Sequence, residues 1–359
     1  HMPFVGPNCY GIINMNVGSV MWPDFHGLTR VHNGVAIITQ SGNIAINLTM
    51  QKRGLPISYI MTMGNQAMVG ISDVMQVMAD DPHVKAIGLH IEGFGDINHF
   101  IAAVRYCHSR GKPVSVLKTG LSTKGAELTM SHTASLAGSG ASAGAFLQRL
   151  GVPQMHDVPA FLEMLKLQMA FGLTPLPALP QRQPNSINLI SFSCSGGEAT
   201  LMADLAESLN KDSATDIIFP PLSQPARDKL FALHGDKVSL NNPFDYQTYI
   251  WGNEQQLRDN FAFALETPVD YGLLVLDIPN RPDMDSWAWR QTHEGFMAGI
   301  TANHRRGIIV ASMVENLPDE KTCHAMLAAG IAPLAGFAST LRLLQQSAAW
   351  SLPATNSDD

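Results

Sequence analysis

Residues 35–53 read VAIITQSGNIAINLTMQKR, and this stretch decides the fold. A β-branched run over 35–40 breaks at the small residues of Thr39-Gln40-Ser41-Gly42-Asn43. It then passes into a stretch, 43–53, with apolar residues at helical spacing. The same alternation recurs outward from it. Residues 57–64, 84–93 and 113–120 read as further strands, and 71–79 and 98–109 as helices between them. Strands alternating with helices of this length predict βαβ units on a parallel sheet.

Past residue 172 the chain runs LTPLPALPQRQP over 173–184, a proline density that neither a helix nor a central strand tolerates. Beyond this linker the alternation restarts. Strands are expected over 187–193, 216–219, 272–278 and 307–314; helices are expected over 198–209, 225–233, 286–304 and 319–328, with a last one from Ser339. The expected organisation is a first α/β domain over 3–150, a helix and proline-rich linker over 151–185, a second α/β domain over 186–350 and a tail over 351–359.

Composition narrows the function classes. The chain has 359 residues, long enough for two or three domains. Charged residues make up 15%, against about 25% in an average soluble protein, and 23 Lys and Arg face 30 Asp and Glu, a net charge of -7. This balance excludes a nucleic-acid-coating or disordered chain. No apolar run approaches the about 18 residues of a membrane span. Cys9, Cys107, Cys194 and Cys323 are widely spaced, which predicts reduced thiols rather than a disulfide framework or a zinc site. No metal site is expected, and the setting is expected to be cytoplasmic. His1-Met2 reads as an expression remnant, with no export signal after it.

In an open parallel sheet, ligands sit beyond the carboxyl ends of the strands, where loops enter helices. Two small-residue loops occupy such places: Ser41-Gly42-Asn43 after the strand over 35–40, and Ser195-Gly196-Gly197 after the strand over 187–193. Bare N–H groups and a positive helix end there suit an anion, most naturally a phosphate. A glycine turn needed only for close strand–helix packing explains either loop equally well when taken alone. Neither loop is a GxxxxGK[ST] phosphate loop or a GxGxxG fingerprint.

A third stretch, KTGLSTKGAELTMSHTASLAGSG over 118–140, carries a single histidine, His132, flanked by Ser131, Thr133 and Ser135. A neutral imidazole is a competent nucleophile when its second nitrogen is held. Glu92, in HIEG at the end of the strand over 84–93, is placed to hold it; the plainer alternative is a loop-facing surface acid.

The series GPNCYG (6–11), TQSGN (39–43), MGNQ (63–66), DDP (80–82), HIEG (90–93), GKPVSVLKTG (111–120) and SHTASLAG (131–138) resembles the nucleoside-diphosphate-forming acyl-CoA synthetases. These are relatives of the succinyl-CoA synthetase alpha subunit, and the ADP-forming acetyl-CoA synthetases fit best. CSGGEA (194–199) and NPFDY (242–246) resemble, more loosely, the further flavodoxin-like domain of these enzymes. The resemblance implies two flavodoxin-like three-layer units. It implies that His132 carries a phosphoryl group, that Glu92 orients it, and that the Ser41-Gly42-Asn43 and Ser195-Gly196-Gly197 loops face it with helix ends. Asn8, Cys9, Gly64 and Asn65 fall where coenzyme A and the acyl group meet.

The implied reaction is carboxylate + CoA + ATP = acyl-CoA + ADP + phosphate, through an acyl phosphate, with coenzyme A and ATP/ADP with Mg2+ as cofactors. The implied partners are a small carboxylic acid, phosphate, and ATP-grasp domains or a subunit carrying them, in a homo- or hetero-oligomer, with no nucleic acid and no membrane. The family's CoA-binding Rossmann domain would precede Gly6, so the chain is expected to be the central and third domains of a larger enzyme. One departure is Ala134, where the family motif has glycine. The competing expectation is a non-catalytic acyl-CoA-sensing module related to protein acetyltransferases; such modules typically lack the phosphorylatable histidine.

The remaining motifs have plainer readings. Met61, Met63, Met68, Met75 and Met78 read as core or interface filling. Asp245, Tyr246, Tyr249 and Trp251 read as the base of the second domain, and Arg281, Asp283 and Asp285 as a solvated loop.

Overall fold

A computed structural model of the chain describes residues 2–125, 127, 140–176, 178–179, 182–279 and 283–351. They divide into two compact units, one ending at Thr174 and the other beginning at Pro175.

The first unit is built on a seven-stranded sheet: β1 (Ile12–Asn14), β2 (Ser19–Met21), β3 (Gly34–Thr39), β4 (Ile57–Thr62), β5 (Val84–Ile91), β6 (Val114–Lys118) and β7 (Gln154–Met155), in the order β2-β1-β4-β3-β5-β6-β7. The strands from β3 onward pair in parallel. The expected all-parallel sheet is corrected at one edge: β1 pairs antiparallel with both β2 and β4. The tight turn between β1 and β2, with Gly18 at φ +71°, makes a hairpin there, and a hairpin joins only antiparallel strands.

Helices α1 (Gly42–Thr49), α2 (Ile71–Asp80), α3 (Ile97–Ser109), α4 (Gly140–Arg149) and α5 (Val158–Phe171) cover this sheet. The chain steps one way from β3 to β4 and then reverses, so right-handed crossovers send α1 to one face and α2, α3 and α4 to the other. On the latter face Ala36, Ile38, Leu89 and Ile91 meet Met75, Met78, Phe100, Val104 and Leu147. Four of the five singled-out methionines are buried there or beside it, while Met68 is exposed. Helix α1 ends at Thr49, short of the expected 53, because the Gln51 side chain turns the chain by donating to Leu55 O and accepting from Arg53 N.

Helix α5 is buried on nearly every side, and its polar residues are paired internally. Glu163 bridges Arg53 and Lys166, each at 2.9 Å, and the Lys166 ammonium also donates to Arg53 O. Its close approach to the sheet depends on Gly88: a Cβ there would stand 2.6 Å from Phe161 Cζ and 2.8 Å from Leu165 Cδ1.

The second unit repeats the plan. Strands β8 (Ser186–Ser193), β9 (Asp216–Ile218), β10 (Phe244–Asp245), β11 (Tyr271–Val275), β12 (Arg306–Ala311) and β13 (Ile331–Ala335) form an all-parallel sheet. The order is β10-β8-β11-β12-β13, with β9 beside the start of β8 and β10 beside its end. Helices α6 (Gly196–Asn210), α7 (Gln224–His234), α8 (Glu254–Ala264), α9 (Trp287–Ala302), α10 (Glu320–Ala328) and α11 (Phe337–Ser351) flank it. Phe192, Phe261 and Phe296 interlock edge-on at the centre of its core. The sequence motif around Asp245 falls here: Tyr246 is fully buried on Phe261, and Trp251 stacks edge-on against Trp289. The four cysteines are free thiols, and no helix among the described residues is long and apolar enough to cross a membrane.

Two measurements test this packing. Gly88→Ala forces a methyl group into α5 and is expected to lower unfolding free energy by about 1–3 kcal/mol in a denaturant titration. His90 in β5 is buried, and burial together with the Lys118 ammonium pushes its imidazole down to about 4. The unfolded chain then binds a proton that the native state refuses, so stability falls as pH drops from about 6.5 toward about 4, by up to about 3 kcal/mol. Denaturant midpoints across that window should flatten in His90→Gln.

Candidate functional site at the strand switch point

Within the first unit the parallel strands run β4-β3-β5-β6-β7, so the chain leaves β3 in one direction and later β5 in the other. Loops leaving such a pair diverge and open a crevice at the carboxyl ends, the usual ligand position in an open sheet. A pocket of about 290 Å³ lies there, lined by Asn8, Cys9, Tyr10, Gln40, Ser41, Gly42, Asn43 and Glu92. Six of the residues singled out from sequence (Asn8, Cys9, Ser41, Gly42, Asn43 and Glu92) thus meet around one cavity.

The floor is the amino end of α1. Ser41 is its N-cap, with Oγ accepting from Ile44 N at 3.3 Å. The cap is held from behind by Thr39, whose hydroxyl accepts from Ser41 N at 3.0 Å and contacts His90 Nδ1 at 2.9 Å. The absence of a side chain at Gly42 lets Tyr10 close over the helix end; a Cβ would come within 3.1 Å of its ring. With one capping oxygen and no acidic residue in the first turn, this end keeps unsatisfied N–H groups and a positive dipole toward the pocket.

One wall is the turn after β5. Gln40 Oε1 accepts from the backbone N–H groups of Glu92 and Gly93, tying the end of β3 to that turn. From the other side the buried Lys118 ammonium donates to Glu92 O at 2.7 Å and to Thr119 O at 2.5 Å. Burial pushes this ammonium below the usual lysine range, while neighbouring Glu92 acts in the opposite direction. Glu92 Oε2 is buried and has no hydrogen-bond partner among the described residues. It is an acceptor waiting for a donor. His132, expected to supply that donor, lies outside the described residues together with Ser131, Thr133 and Ala134.

The opposite wall is the 6–11 segment. Tyr10 N and Gly11 N donate to Thr62 Oγ1 at 2.6 and 2.7 Å, and Tyr10 OH donates to Asp24. Gly64 and Asn65 do not line the pocket; they support it from behind. Asn65 N donates to Pro7 O, its side chain accepts from Asn8 Nδ2 at 3.5 Å, and Gly64 lies so close to Pro7 and Asn8 that a Cβ would overlap them. Cys9 is exposed beside Val5 O.

The second unit has the corresponding place. Ser193 Oγ donates to Ser195 O at 3.0 Å, as Thr39 Oγ1 does to Ser41 O at 3.2 Å, and Ser195 and Gly196 open α6 as Ser41 and Gly42 open α1. The surroundings differ. Glu198 enters the first turn of α6 with Oε2 buried and without a partner among the described residues, and burial, then Asp277 and Asp245, raise its carboxyl above the usual range. Asp277, just beyond β11, is occupied by Ser312 and Asn316. Among the described residues no three His, Cys, Asp or Glu side chains are grouped to hold a metal ion.

Sequence reasoning missed Gln40 and Lys118 as site residues, although both fall inside quoted motifs. Their roles come from contacts across neighbouring strands, which spacing along one chain does not show.

Residues 32–168 match the model of the succinyl-CoA ligase like flavodoxin domain. The chain is 33% identical to the acetate–CoA ligase (ADP-forming) II subunit alpha of Pyrococcus furiosus over 332 residues, covering 92% of this chain and 64% of that one. It is 30% identical to a 4-hydroxybutyrate–CoA ligase (ADP-forming) of Nitrosopumilus maritimus over 207 residues, 57% of this chain and 28% of that protein. The chain therefore spans less than two thirds of either relative. In fold it is similar to the dinucleotide-forming acetyl-coenzyme A synthetase 1 of Ca. Korarchaeum cryptofilum, with a TM-score of 0.73 at 20% identity over 98% of this chain and 71% of that one. Residues 32–168 thus carry a succinyl-CoA ligase like flavodoxin domain, and the chain is similar to subunits of ADP-forming acyl-CoA ligases.

Proposed function

We propose that this chain carries the phosphoryl- and acyl-transfer part of an ADP-forming acyl-CoA synthetase acting on a small carboxylic acid. The observation that carries it is the pocket lined by both a helix amino end and Glu92, whose Oε2 has no partner among the described residues. A positive helix end suits a phosphoryl oxyanion; an unpartnered carboxylate oxygen suits the N–H of an imidazole. A phosphohistidine presents both groups at once.

In the forward direction the γ-phosphoryl of ATP passes to a nitrogen of His132 and ADP leaves. Glu92 accepts the hydrogen bond from the other ring nitrogen, which fixes the tautomer and the ring orientation. The phosphoryl oxygens face the N–H groups at Gly42 and Asn43. A carboxylate oxygen of the acid then attacks phosphorus and the P–N bond breaks, giving the acyl phosphate and free histidine. The thiolate of coenzyme A attacks the acyl carbon, the C–O bond to phosphate breaks, and acyl-CoA and phosphate are released. Asn8 and Cys9, backed by Gly64 and Asn65, form the side of the pocket on which thiol and acyl group meet, with Cys9 as lining rather than nucleophile. Nucleotide, with its Mg2+, is held by ATP-grasp domains or a subunit carrying them, in an oligomer whose expected setting is the cytoplasm.

A helix end contributes about 0.3–2 kcal/mol toward a facing charge, modest for a phosphoryl dianion. The amino end of α6 at Ser195, Gly196 and Gly197 is a separate helix end of the same kind within the second unit. Half-buried Glu198 stands near that end, its carboxyl raised above the usual range by burial and then by Asp277 and Asp245.

The full-length protein incubated with γ-phosphate-labelled ATP and Mg2+ is expected to gain an acid-labile, base-stable phosphate. His132→Ala should gain none, and Glu92→Gln should be labelled about 10²-fold more slowly. Equal labelling of His132→Ala removes the histidine from the scheme.

A further inference from the structure

The loops after β5 and β6 end in free main-chain carbonyls, as parallel strands do at their carboxyl ends. Two of these, Glu92 O and Thr119 O, converge on a single side chain, the Lys118 ammonium, at 2.7 and 2.5 Å. Lys118 is 3% exposed, and no carboxylate of the described residues forms an ion pair with it. A lysine is seldom buried unless it is paired, because removing the charge from water is costly. Methionine or leucine would fill the same space without that cost, so the ammonium needs a reason to be there.

Its position supplies one. Thr119 begins the segment that leads to His132, and Glu92 is the residue that awaits the histidine. The Thr119 main chain is also tied directly to β5, its N–H donating to Ile91 O at 3.1 Å. On the opposite side Gln40 Oε1 receives the N–H groups of Glu92 and Gly93. Glu92 therefore has its N–H held from β3 and its carbonyl held from β6, with only the side chain left free. The Phe94 ring lies 6.0 Å from the ammonium, shielding it from solvent.

We propose that Lys118 is a positioning residue: it clamps the Glu92 turn to the root of the histidine-bearing segment, so that Glu92 and His132 meet in one geometry. This rests on the phosphohistidine scheme above for its consequence, although the clamp is a property of the first unit alone. The titratable groups facing the ammonium are Glu92 and His90, both from β5 and its turn. Burial and then the Lys118 ammonium hold the His90 imidazole below its usual range. Lys118 does not touch the reacting atoms in this scheme; it acts through Glu92.

The test is a double-mutant cycle in the full-length protein, reading the single-turnover rate of phosphoenzyme formation for wild type, Lys118→Met, Glu92→Gln and the pair. Lys118→Met is expected to slow phosphorylation about tenfold or more, as a misplaced catalytic group does, with the KM for ATP unchanged. In the Glu92→Gln background the same substitution should cost nothing further. Additive losses, or a Lys118→Met rate equal to wild type, overturn the proposal. Amide NMR gives a readout without turnover: Lys118→Met should shift the resonances that follow the two released carbonyls, Gly93 and Gly120, and unmoved resonances there contradict the clamp. If wild type itself forms no phosphoenzyme, the phosphohistidine scheme fails while these amide shifts still decide whether Lys118 holds this turn.

Discussion

The side-chain amide of Gln40 reaches from the end of β3 to accept from two N–H groups in the turn after β5, and the shape of the first unit's pocket depends on that bridge. It spans the place where the strand order reverses, the point at which diverging loops would otherwise leave a floppy cleft. Because the bridge fixes the Glu92 turn against the amino end of α1, a carboxylate and a positive helix end keep a constant separation. An enzyme that passes a phosphoryl group needs such preorganised partners, since the stabilising groups must be in place before charge develops. Thr39 and His90 brace the same junction from below, with His90 held neutral by burial.

The second unit shows the same backbone solution with a different electrostatic outcome. Ser193 Oγ bonds Ser195 O as Thr39 Oγ1 bonds Ser41 O, but Ser195 makes no side-chain cap bond where Ser41 does. Around α1 the first turn has no acid, whereas α6 has Glu198, with Asp245 and Asp277 close enough to raise it. One sheet topology therefore offers two helix ends in different electrostatic surroundings. The difference lies in side chains placed on the loops rather than in the fold, as expected where function is grafted onto a common scaffold.

Much of this was legible in the sequence because β-branched runs and helical periods are local signals. The loop at Ser41, Gly42 and Asn43 could be placed from the strand before it and the helix after it. What escaped has physical causes. Strands β1 and β2, reading IIN and SVM, are too short to set a period. Helix α5, VPAFLEMLKLQMAF, is legible only as a helix somewhere within 151–185, because it is buried nearly all round and carries no one-sided stripe to mark its bounds. Strand β13 contains Pro333, tolerated because it is the last strand of its sheet. The partnership of Gln40, Glu92 and Lys118 depends on strands β3, β5 and β6 being neighbours, and strand order is not written in periodicity.

The central claim is that the corner between the amino end of α1 and Glu92 holds a phosphoryl group carried by His132. A crystal structure of the phosphorylated full-length protein tests it most directly. The expected result is a phosphoryl group on the His132 imidazole, its oxygens within hydrogen-bonding distance of the Gly42 and Asn43 N–H groups, and Glu92 Oε2 accepting from the second ring nitrogen. A phosphoryl group on another residue, or a phosphorylated His132 with Glu92 Oε2 still unpartnered, would contradict it.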